Sequence, residues 1–151
     1  MPSIGITGRV LGQSSIRVAS TLDPAIKAAV PVRVEGANLY TPQLPFTSKG
    51  VTFSRNTDGS IHVAGTGTIN WVALPISLKL AEGDYKATLS RKTGSSLTSK
   101  VSTDDQTNLW IFEEGEQTRH LTAGVYNILI LTGDAGQTYD EDVTLDVHQI
   151  N

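Results

Sequence analysis

Apolar and polar residues alternate along most of this chain. Alternating segments on either side of residues 56–59 flank the tight-turn sequence Asn56-Thr57-Asp58-Gly59. A Gly after Asp accepts the positive φ that a tight hairpin requires. The period of two continues in segments that end near residues 80, 89, 111, 130 and 147. Short alternating segments separated by turn residues predict an all-β fold, an antiparallel β-sandwich of the jelly-roll kind, for residues 38–151.

A six-residue phrase occurs twice. Leu80-Ala81-Glu82-Gly83-Asp84-Tyr85 returns as Leu121-Thr122-Ala123-Gly124-Val125-Tyr126, and each copy leads into an alternating apolar segment. A turn glycine followed by a Tyr at the start of a strand is typical of a β-sandwich chain passing from a loop into the core. The phrase carries no catalytic group, so it favours a scaffolding or binding role.

Residues 1–37 follow a different pattern, with two short extended segments around a glycine-rich bend. Asp23-Pro24 predicts a helix start, and the helix would cover Ala25–Ala29 before Pro31 ends it. Two interpretations stay open, namely first strands of the sandwich or an extended N-terminal arm. We predict an arm over 1–37, because extended segments gain hydrogen bonds by pairing with a neighbouring sheet edge. Its docking and oligomerisation residues would be Ile4, Ile6, Ile16, Val18 and Ile26.

Composition narrows the function classes. The 151 residues carry a net charge of −3 and contain no cysteine, which excludes disulfides and thiolate metal sites. Because basic residues are not concentrated anywhere, we predict no nucleic-acid partner. The aliphatic stretches are far too short to span a bilayer, so we predict no membrane partner. The N-terminus lacks the layout of a signal peptide, which predicts synthesis in the cytoplasm.

Candidate chemical groups are scattered. Three histidines, His62, His120 and His148, lie on separate predicted elements, and three glutamates, Glu113, Glu114 and Glu116, share one turn. A solvated turn rarely holds the fixed carboxylate separation that glycosidases need. A second acidic group, Asp134 with residues 140–142, leaves a structural calcium open, although its spacing matches no complete calcium loop. We predict no enzyme activity, no catalytic residues, no metal site and no cofactor.

A sugar site requires an exposed aromatic ring with polar groups beside it. Trp71, Trp110 and Tyr139 are the candidate rings, and Asn108 is the neighbouring amide. Trp110 lies between Leu109 and Ile111, so it faces the side of the strand opposite to both. If Leu109 and Ile111 point inward, Trp110 is exposed. The alternative is that both tryptophans belong to the core.

The segments Asn38-Leu39-Tyr40, Gly50-Val51-Thr52-Phe53 and the hairpin from Asn56 to Thr66, with the two Tyr phrases, resemble a known pattern. They are similar to the jelly-roll, carbohydrate-binding-like domains of virion structural proteins of tailed bacteriophages and prophages. The resemblance covers about residues 38–147. It implies a non-enzymatic capsid decoration or tail accessory protein, located in the virion and made in the host cytoplasm.

The same resemblance implies virion proteins as partners, namely major capsid or tail proteins. An arm of this kind also favours a homo-oligomer, with a trimer as one possibility. The alternative function is a carbohydrate-binding module that attaches to a bacterial surface glycan.

Overall fold

The computed structural model describes residues 11–19, 22–23 and 25–151, and these contain twelve β-strands. Their bounds are β1 Gly12–Ala19, β2 Lys27–Val34, β3 Phe46–Ser48, β4 Val51–Arg55, β5 Ile61–Thr66, β6 Ala73–Leu80, β7 Gly83–Arg91, β8 Thr98–Ser102, β9 Leu109–Ile111, β10 Gly115–Leu121, β11 Gly124–Leu131 and β12 Thr138–Gln149. All strand pairs are antiparallel. The predicted all-β antiparallel sandwich is confirmed. Within these residues no helix is long and apolar enough to cross a membrane.

Two sheets form the sandwich. One has six strands in the order β10-β7-β12-β5-β4-β3, and the other has four in the order β6-β11-β8-β9. The inward positions of each sheet supply one continuous core, in which Ala87, Val63, Ile128 and Ile130 are completely buried. Removing apolar surface from water contributes about 25 cal/mol per Å², so the alternating pattern is what holds the two sheets together.

The turn between β4 and β5 forms where the sequence predicts it. Gly59 has a φ of 89°, and its N–H donates to the carbonyl of Asn56 at 3.1 Å. The Asp58 carboxylate accepts both the backbone N–H of Ser60, at 2.9 Å, and its hydroxyl, at 2.6 Å. These bonds hold the pKa of Asp58 below its usual value, chiefly through the Ser60 hydroxyl. Local hydrogen bonds therefore fix the register of this hairpin.

Each copy of the repeated phrase carries the chain from one sheet to the other. Leu80 ends β6 in the four-stranded sheet, and Gly83 begins β7 in the six-stranded sheet. The second copy runs the opposite way, from Leu121 at the end of β10 to Gly124 at the start of β11. The two crossings lie next to each other, because Leu80 pairs with Gly124 and Leu121 pairs with Gly83. The phrases therefore join the sheets side by side at one end of the sandwich.

Strands β1 and β2 form a two-stranded hairpin of their own. Among the described residues these strands pair only with each other, over eight register positions from Gly12–Val34 to Ala19–Lys27. The predicted helix over Ala25–Ala29 is wrong: Asp23 caps a turn, accepting the N–H of Ala25 at 3.0 Å and that of Ile26 at 3.0 Å, and β2 follows. The apolar alternation from Val30 to Val34 prevails because it places Val30 opposite Ile16.

The boundary at residue 37 stays a prediction. Of the predicted docking residues, Ile4 and Ile6 lie outside the described residues, as does the side chain of Val18. Ile16 is half-buried within β1, and Ile26 is 64% exposed in the turn before β2. The two described side chains thus occupy different parts of the same hairpin.

Candidate functional site

The outer faces of the two sheets differ in chemistry. The six-stranded sheet presents polar side chains outward, among them Thr88, Asp142 and His62. The four-stranded sheet presents more apolar side chains outward, namely Pro75, Val125, Leu129, Leu131 and Ile111, among the polar residues Ser77, Lys79, Thr98, Lys100 and Asn127. Of the apolar residues, Ile111 is 58% exposed and Val125 is 55% exposed. Exposed apolar residues grouped on one face mark an interaction site more often than isolated ones do.

A cavity of about 430 Å³ lies on this apolar face. We call it the Trp71 groove, and its lining residues are Trp71, Thr98, Ser99, Lys100, Gln106, Ile111 and Leu131. The loop over 103–108 folds back across the sheet, because Asn127 on the outer side of β11 donates to the carboxylate of Asp104 at 2.6 Å. The groove therefore lies between Trp71 and the 103–108 loop, and its floor combines the apolar side chains of Ile111 and Leu131 with the polar residues of β8.

Trp71 is held in a strained, exposed position. Its φ is 56°, in the left-handed region, and its side chain is 64% exposed. Left-handed backbone costs an L-residue roughly 1–2 kcal/mol. The backbone N–H of Trp71 donates to the carbonyl of Gly133 at 2.9 Å, and that of Val72 donates to the Thr132 hydroxyl at 2.8 Å. Strained backbone positions that neighbouring residues maintain are concentrated at functional sites. At Trp71 the strained position leaves a large ring exposed to solvent.

The structure separates the predicted sugar-site residues. Trp110 is only 7% exposed and packs edge-on against Phe112, with ring centroids 4.9 Å apart. The condition for an exposed Trp110 is not met, because β9 turns Ile111 outward and Trp110 into the core. Tyr139 is also buried, and its hydroxyl accepts the N–H of Gly133 at 2.7 Å. A stacking platform cannot be built on either ring.

Trp71 and Asn108 are the exposed members of that set. Asn108 is engaged through its backbone: its carbonyl accepts the N–H of Thr103 at 3.1 Å, which closes the 103–108 loop. Glycan recognition through Trp71 stays a prediction.

Six of the seven groove residues were not among the predicted site residues, namely Thr98, Ser99, Lys100, Gln106, Ile111 and Leu131. One signal pointed to Leu131. The run from Ile128 to Leu131 is apolar on both faces of a strand, whereas a half-exposed strand alternates. An apolar residue at every position indicates that something covers the outer face too.

The carboxylates of residues 140–142, predicted above as part of a second acidic group, do not point toward one site. Asp140 and Asp142 face outward on either side of His62. Asp140 lies 3.1 Å from Nε2 of His62, and Asp142 lies 2.7 Å from Nδ1. The Glu141 side chain points to the opposite side, where the Ser95 hydroxyl donates to it and Lys92 lies 3.3 Å away. Alternation along β12 separates these carboxylates. Within the described part of the chain, no group of three His, Asp or Glu side chains is placed to hold a metal ion.

A second histidine lies between carboxylates at the first crossing. Nδ1 of His120 is 2.8 Å from Asp84, and Nε2 is 3.7 Å from Glu82. The hydrogen bond to Asp84 raises the pKa of His120 above its ordinary value. The same bond, with one from Asn151, lowers the pKa of Asp84. The arrangement is an exposed ion pair at the crossing.

The hairpin is fixed at its base to the six-stranded sheet. Lys86 donates to both carboxylate oxygens of Glu35, at 2.5 and 2.7 Å, and this hydrogen bond lowers the pKa of Glu35. The next residue, Gly36, donates to the carbonyl of Gln149 at 2.8 Å, and its own carbonyl lies 2.7 Å from Nδ1 of His148. These contacts run along the end of β12. The hairpin therefore leaves the sandwich from the side opposite to the Trp71 groove.

Comparison with known proteins identifies the fold alone. No protein-family model matches the chain, and no curated protein does. The chain is similar to a chain in the crystal structure of accessory secretory protein 1,2 and 3 in Streptococcus pneumoniae. The TM-score is 0.51 at 10% sequence identity, covering 80% of this chain and 99% of that one.

This finding corrects the predicted function. The solved structure with the similar fold comes from accessory secretory proteins and not from a phage particle. The assignment as a virion structural protein is therefore wrong, and with it the choice of capsid or tail proteins as partners loses its support. The resemblance rested on turns and strand starts, which many β-sandwiches share whatever they bind. The similarity of the motifs to phage domains and the virion location stay predictions.

Proposed function

We propose that this chain is a non-enzymatic subunit of a multi-protein assembly, which docks on a partner protein through the β1–β2 hairpin. The observation that carries the proposal is the isolation of that hairpin. Within the described residues it pairs with no strand of the sandwich. An isolated two-stranded hairpin is at best marginally stable in water. A partner surface would supply the burial that the sandwich does not.

The exposure of β2 supports this role. All five side chains from Lys27 to Pro31 are exposed, and Val30 keeps 49% of its surface accessible. Register places Val30 directly opposite Ile16, and Ala28 and Val32 share that face. The other face carries Arg17, Lys27 and Arg33. The hairpin is therefore amphipathic, with one apolar side and one basic side, although no third strand or opposing sheet covers it within the described residues.

The attachment of the hairpin supports a defined docking geometry. The ion pair between Lys86 and Glu35 is only partly exposed, with side-chain accessibilities of 15% and 27%. Partial burial reduces the screening of such a pair by solvent and salt. The base of the hairpin is therefore held while its tip projects.

The fold comparison supports the class of partner. The crystal structure that contains the similar chain contains accessory secretory proteins 1, 2 and 3. A β-sandwich of this shape thus occurs there beside other protein chains. Under the proposal, this chain resembles that similar chain in being bound to other proteins and not in catalysing a reaction.

The test of the proposal is the size of the complex that this chain forms in an extract of the cells that naturally produce it. Because the chain has no cysteine, Thr93→Cys in the exposed 92–94 turn supplies one labelling site on the full chain. Sedimentation of the labelled protein in the extract should give a species much larger than 16.1 kDa. Ile26→Asp with Val30→Asp should reduce it to the size of the monomer.

The matched control is Phe46→Ser, which changes an apolar residue in β3, the far edge strand of the six-stranded sheet, where its side chain is 37% accessible. It should leave the assembly intact. A monomer for the unmodified chain in the extract, or an assembly that the hairpin substitutions do not affect, would contradict the proposal.

A further inference from the structure

We infer that the Trp71 groove is the receptor for the β1–β2 hairpin of a second copy of this chain. This inference deepens the proposed function and rests on it, because it takes the hairpin as the docking element and names its partner. It joins the two apolar surfaces that the described residues leave uncovered. One is the Ile16–Val30 face of the hairpin, and the other is the floor of the groove.

Charge is distributed in a way that favours contact between copies. Residues 1–34 contain four basic side chains and one acidic one, a net charge of +3. Residues 35–151 contain eight basic and fourteen acidic side chains, a net charge of −6, and the two parts give the −3 of the whole chain. A basic projection and an acidic body attract each other between molecules.

The same complementarity holds locally at the groove. Asp104 and Asp105, both exposed, lie in the loop that supplies Gln106 to the groove, and the lining itself contains one cation, Lys100. Bonds from Thr103 and Thr107 keep the pKa of Asp105 below its usual value, so this carboxylate is charged near neutral pH. The 103–108 loop therefore places two carboxylates beside the groove, where they would attract a basic hairpin.

The receiving sheet is wide enough for two further strands to lie on it. Eight residues per strand give a hairpin about 26 Å long, at ~3.3 Å per residue. The four strands of the receiving sheet, spaced ~4.8 Å apart, span about 14 Å between the outer strands. Two strands can lie on four in the manner of packed sheets, with Trp71 at one border and the 103–108 loop at the other.

The receiving copy must be a different molecule. Lys86 and His148 hold the base of the hairpin on the outer face of the six-stranded sheet. The groove lies on the outer face of the other sheet. The full thickness of the sandwich separates them, so a hairpin cannot fold into the groove of its own chain. The contact is therefore between unlike surfaces, which can assemble as a reciprocal pair, a ring or an open filament.

The test uses purified full-length chain without extract. Light scattering coupled to gel filtration, and sedimentation equilibrium, should show concentration-dependent association of the unmodified protein. Trp71→Gly with Ile111→Lys alters the groove, and Ile26→Asp with Val30→Asp alters the hairpin. Each pair of substitutions should weaken self-association at least 10-fold and leave a 16.1 kDa monomer. Phe46→Lys, on the opposite sheet, should have no effect.

Mixing the two altered proteins is the decisive step. The groove variant retains an intact hairpin, and the hairpin variant retains an intact groove, so an equimolar mixture should form a 1:1 complex although neither protein associates alone. Emission of Trp71 in the hairpin variant, recorded in a Trp110→Phe background, should shift to the blue on mixing. Added salt should weaken the complex because exposed charges contribute to it.

Three outcomes would overturn the inference. Undiminished self-association of the groove variant would place the contact elsewhere. A mixture that stays monomeric would exclude the hairpin–groove pairing. A purified chain that is monomeric at high concentration, and whose Trp71 emission responds to oligosaccharides, would assign the groove to a glycan. The last result leaves the hairpin-dependent assembly in the extract unaffected, so failure here is distinguishable from failure of the proposed function.

Discussion

Tyr85 and Tyr126 form the same contact in opposite sheets. The hydroxyl of Tyr85 donates to the carbonyl of Ala81 at 2.8 Å, and that of Tyr126 donates to the carbonyl of Thr122 at 3.0 Å. Each tyrosine is 1% exposed, and each hydrogen bond reaches back four residues across the point where the chain changes sheet. A Tyr that bonds back to the backbone upstream of it is a known device for fixing such a corner in β-sandwiches.

Removing either hydroxyl should weaken its crossing. We expect Tyr85→Phe and Tyr126→Phe each to lower the free energy of unfolding by about 1 kcal/mol, because each leaves a carbonyl without its donor. Burial raises the pKa of Tyr85, so the hydroxyl is a donor throughout the neutral range. Urea denaturation measures the effect. Phe variants as stable as the unmodified chain would show that the rings alone fix the corners.

The two phrase glycines should respond differently to substitution. A Cβ at Gly83 would lie 2.2 Å from the carbonyl oxygen of Asn151, whereas one at Gly124 meets only the Tyr126 ring, at 3.4 Å. We expect Gly83→Ala to destabilise the chain by about 1–3 kcal/mol, as overpacking does. Gly124→Ala is the matched control and should cost far less. Equal losses in thermal denaturation would contradict this explanation.

The ion pair between His120 and Asp84 should make stability depend on pH. The pKa of His120 is raised in the folded state. Its contribution is therefore complete below its unfolded pKa of about 6.5 and is lost as the pH rises through the folded value. The pKa of Asp84 is lowered, so its contribution is present above its unfolded pKa and is lost as the pH falls through the folded one.

His120→Gln should accordingly destabilise the chain more at about pH 5.5 than at about pH 9. Both side chains are exposed, so we expect a small difference that falls with added salt. The control introduces His120→Gln into an Asp84→Asn background, where the pH dependence of the effect should disappear. A pH-independent effect of His120→Gln in the unmodified chain would argue against the pair.

The two tryptophans should make very unequal contributions to stability. Trp110→Ala removes a buried ring, so it should lower the free energy of unfolding by about 3–5 kcal/mol. Trp71→Gly removes an exposed ring and relieves a left-handed backbone position. Since glycine adopts that conformation freely, we expect a change within about 1 kcal/mol, in either direction. Guanidinium denaturation of both variants measures these effects. A larger loss for Trp71→Gly than for Trp110→Ala would contradict the assignment of Trp110 to the core.

Acrylamide quenching gives an independent measurement of the same difference. In a Trp110→Phe background, emission from Trp71 should be readily quenched because the ring is 64% exposed. In a Trp71→Phe background, emission from Trp110 should be protected. Equal quenching of the two rings would be inconsistent with the described positions.

The sequence by itself determined the fold class and the corners. Period-two alternation requires strands with one buried face, and it specifies them wherever a turn such as Asn56–Gly59 marks the end. The two Leu-to-Tyr phrases predicted strand starts correctly, because the Gly and Tyr in them have local roles. The charge difference between residues 1–34 and the remainder could also be read without a structure.

Only the tertiary structure decided which face of each strand is inside and which segments lie together. Alternation in β9 is equally consistent with Trp110 inward or outward, and contact with Phe112 in the core settled it. Asp23 could cap a helix or a turn, and pairing of Val30 with Ile16 selected the turn. The groove joins Trp71, Lys100 and Ile111 from three separate segments. Burial depends on neighbours that are distant in the chain, so no local pattern specifies it.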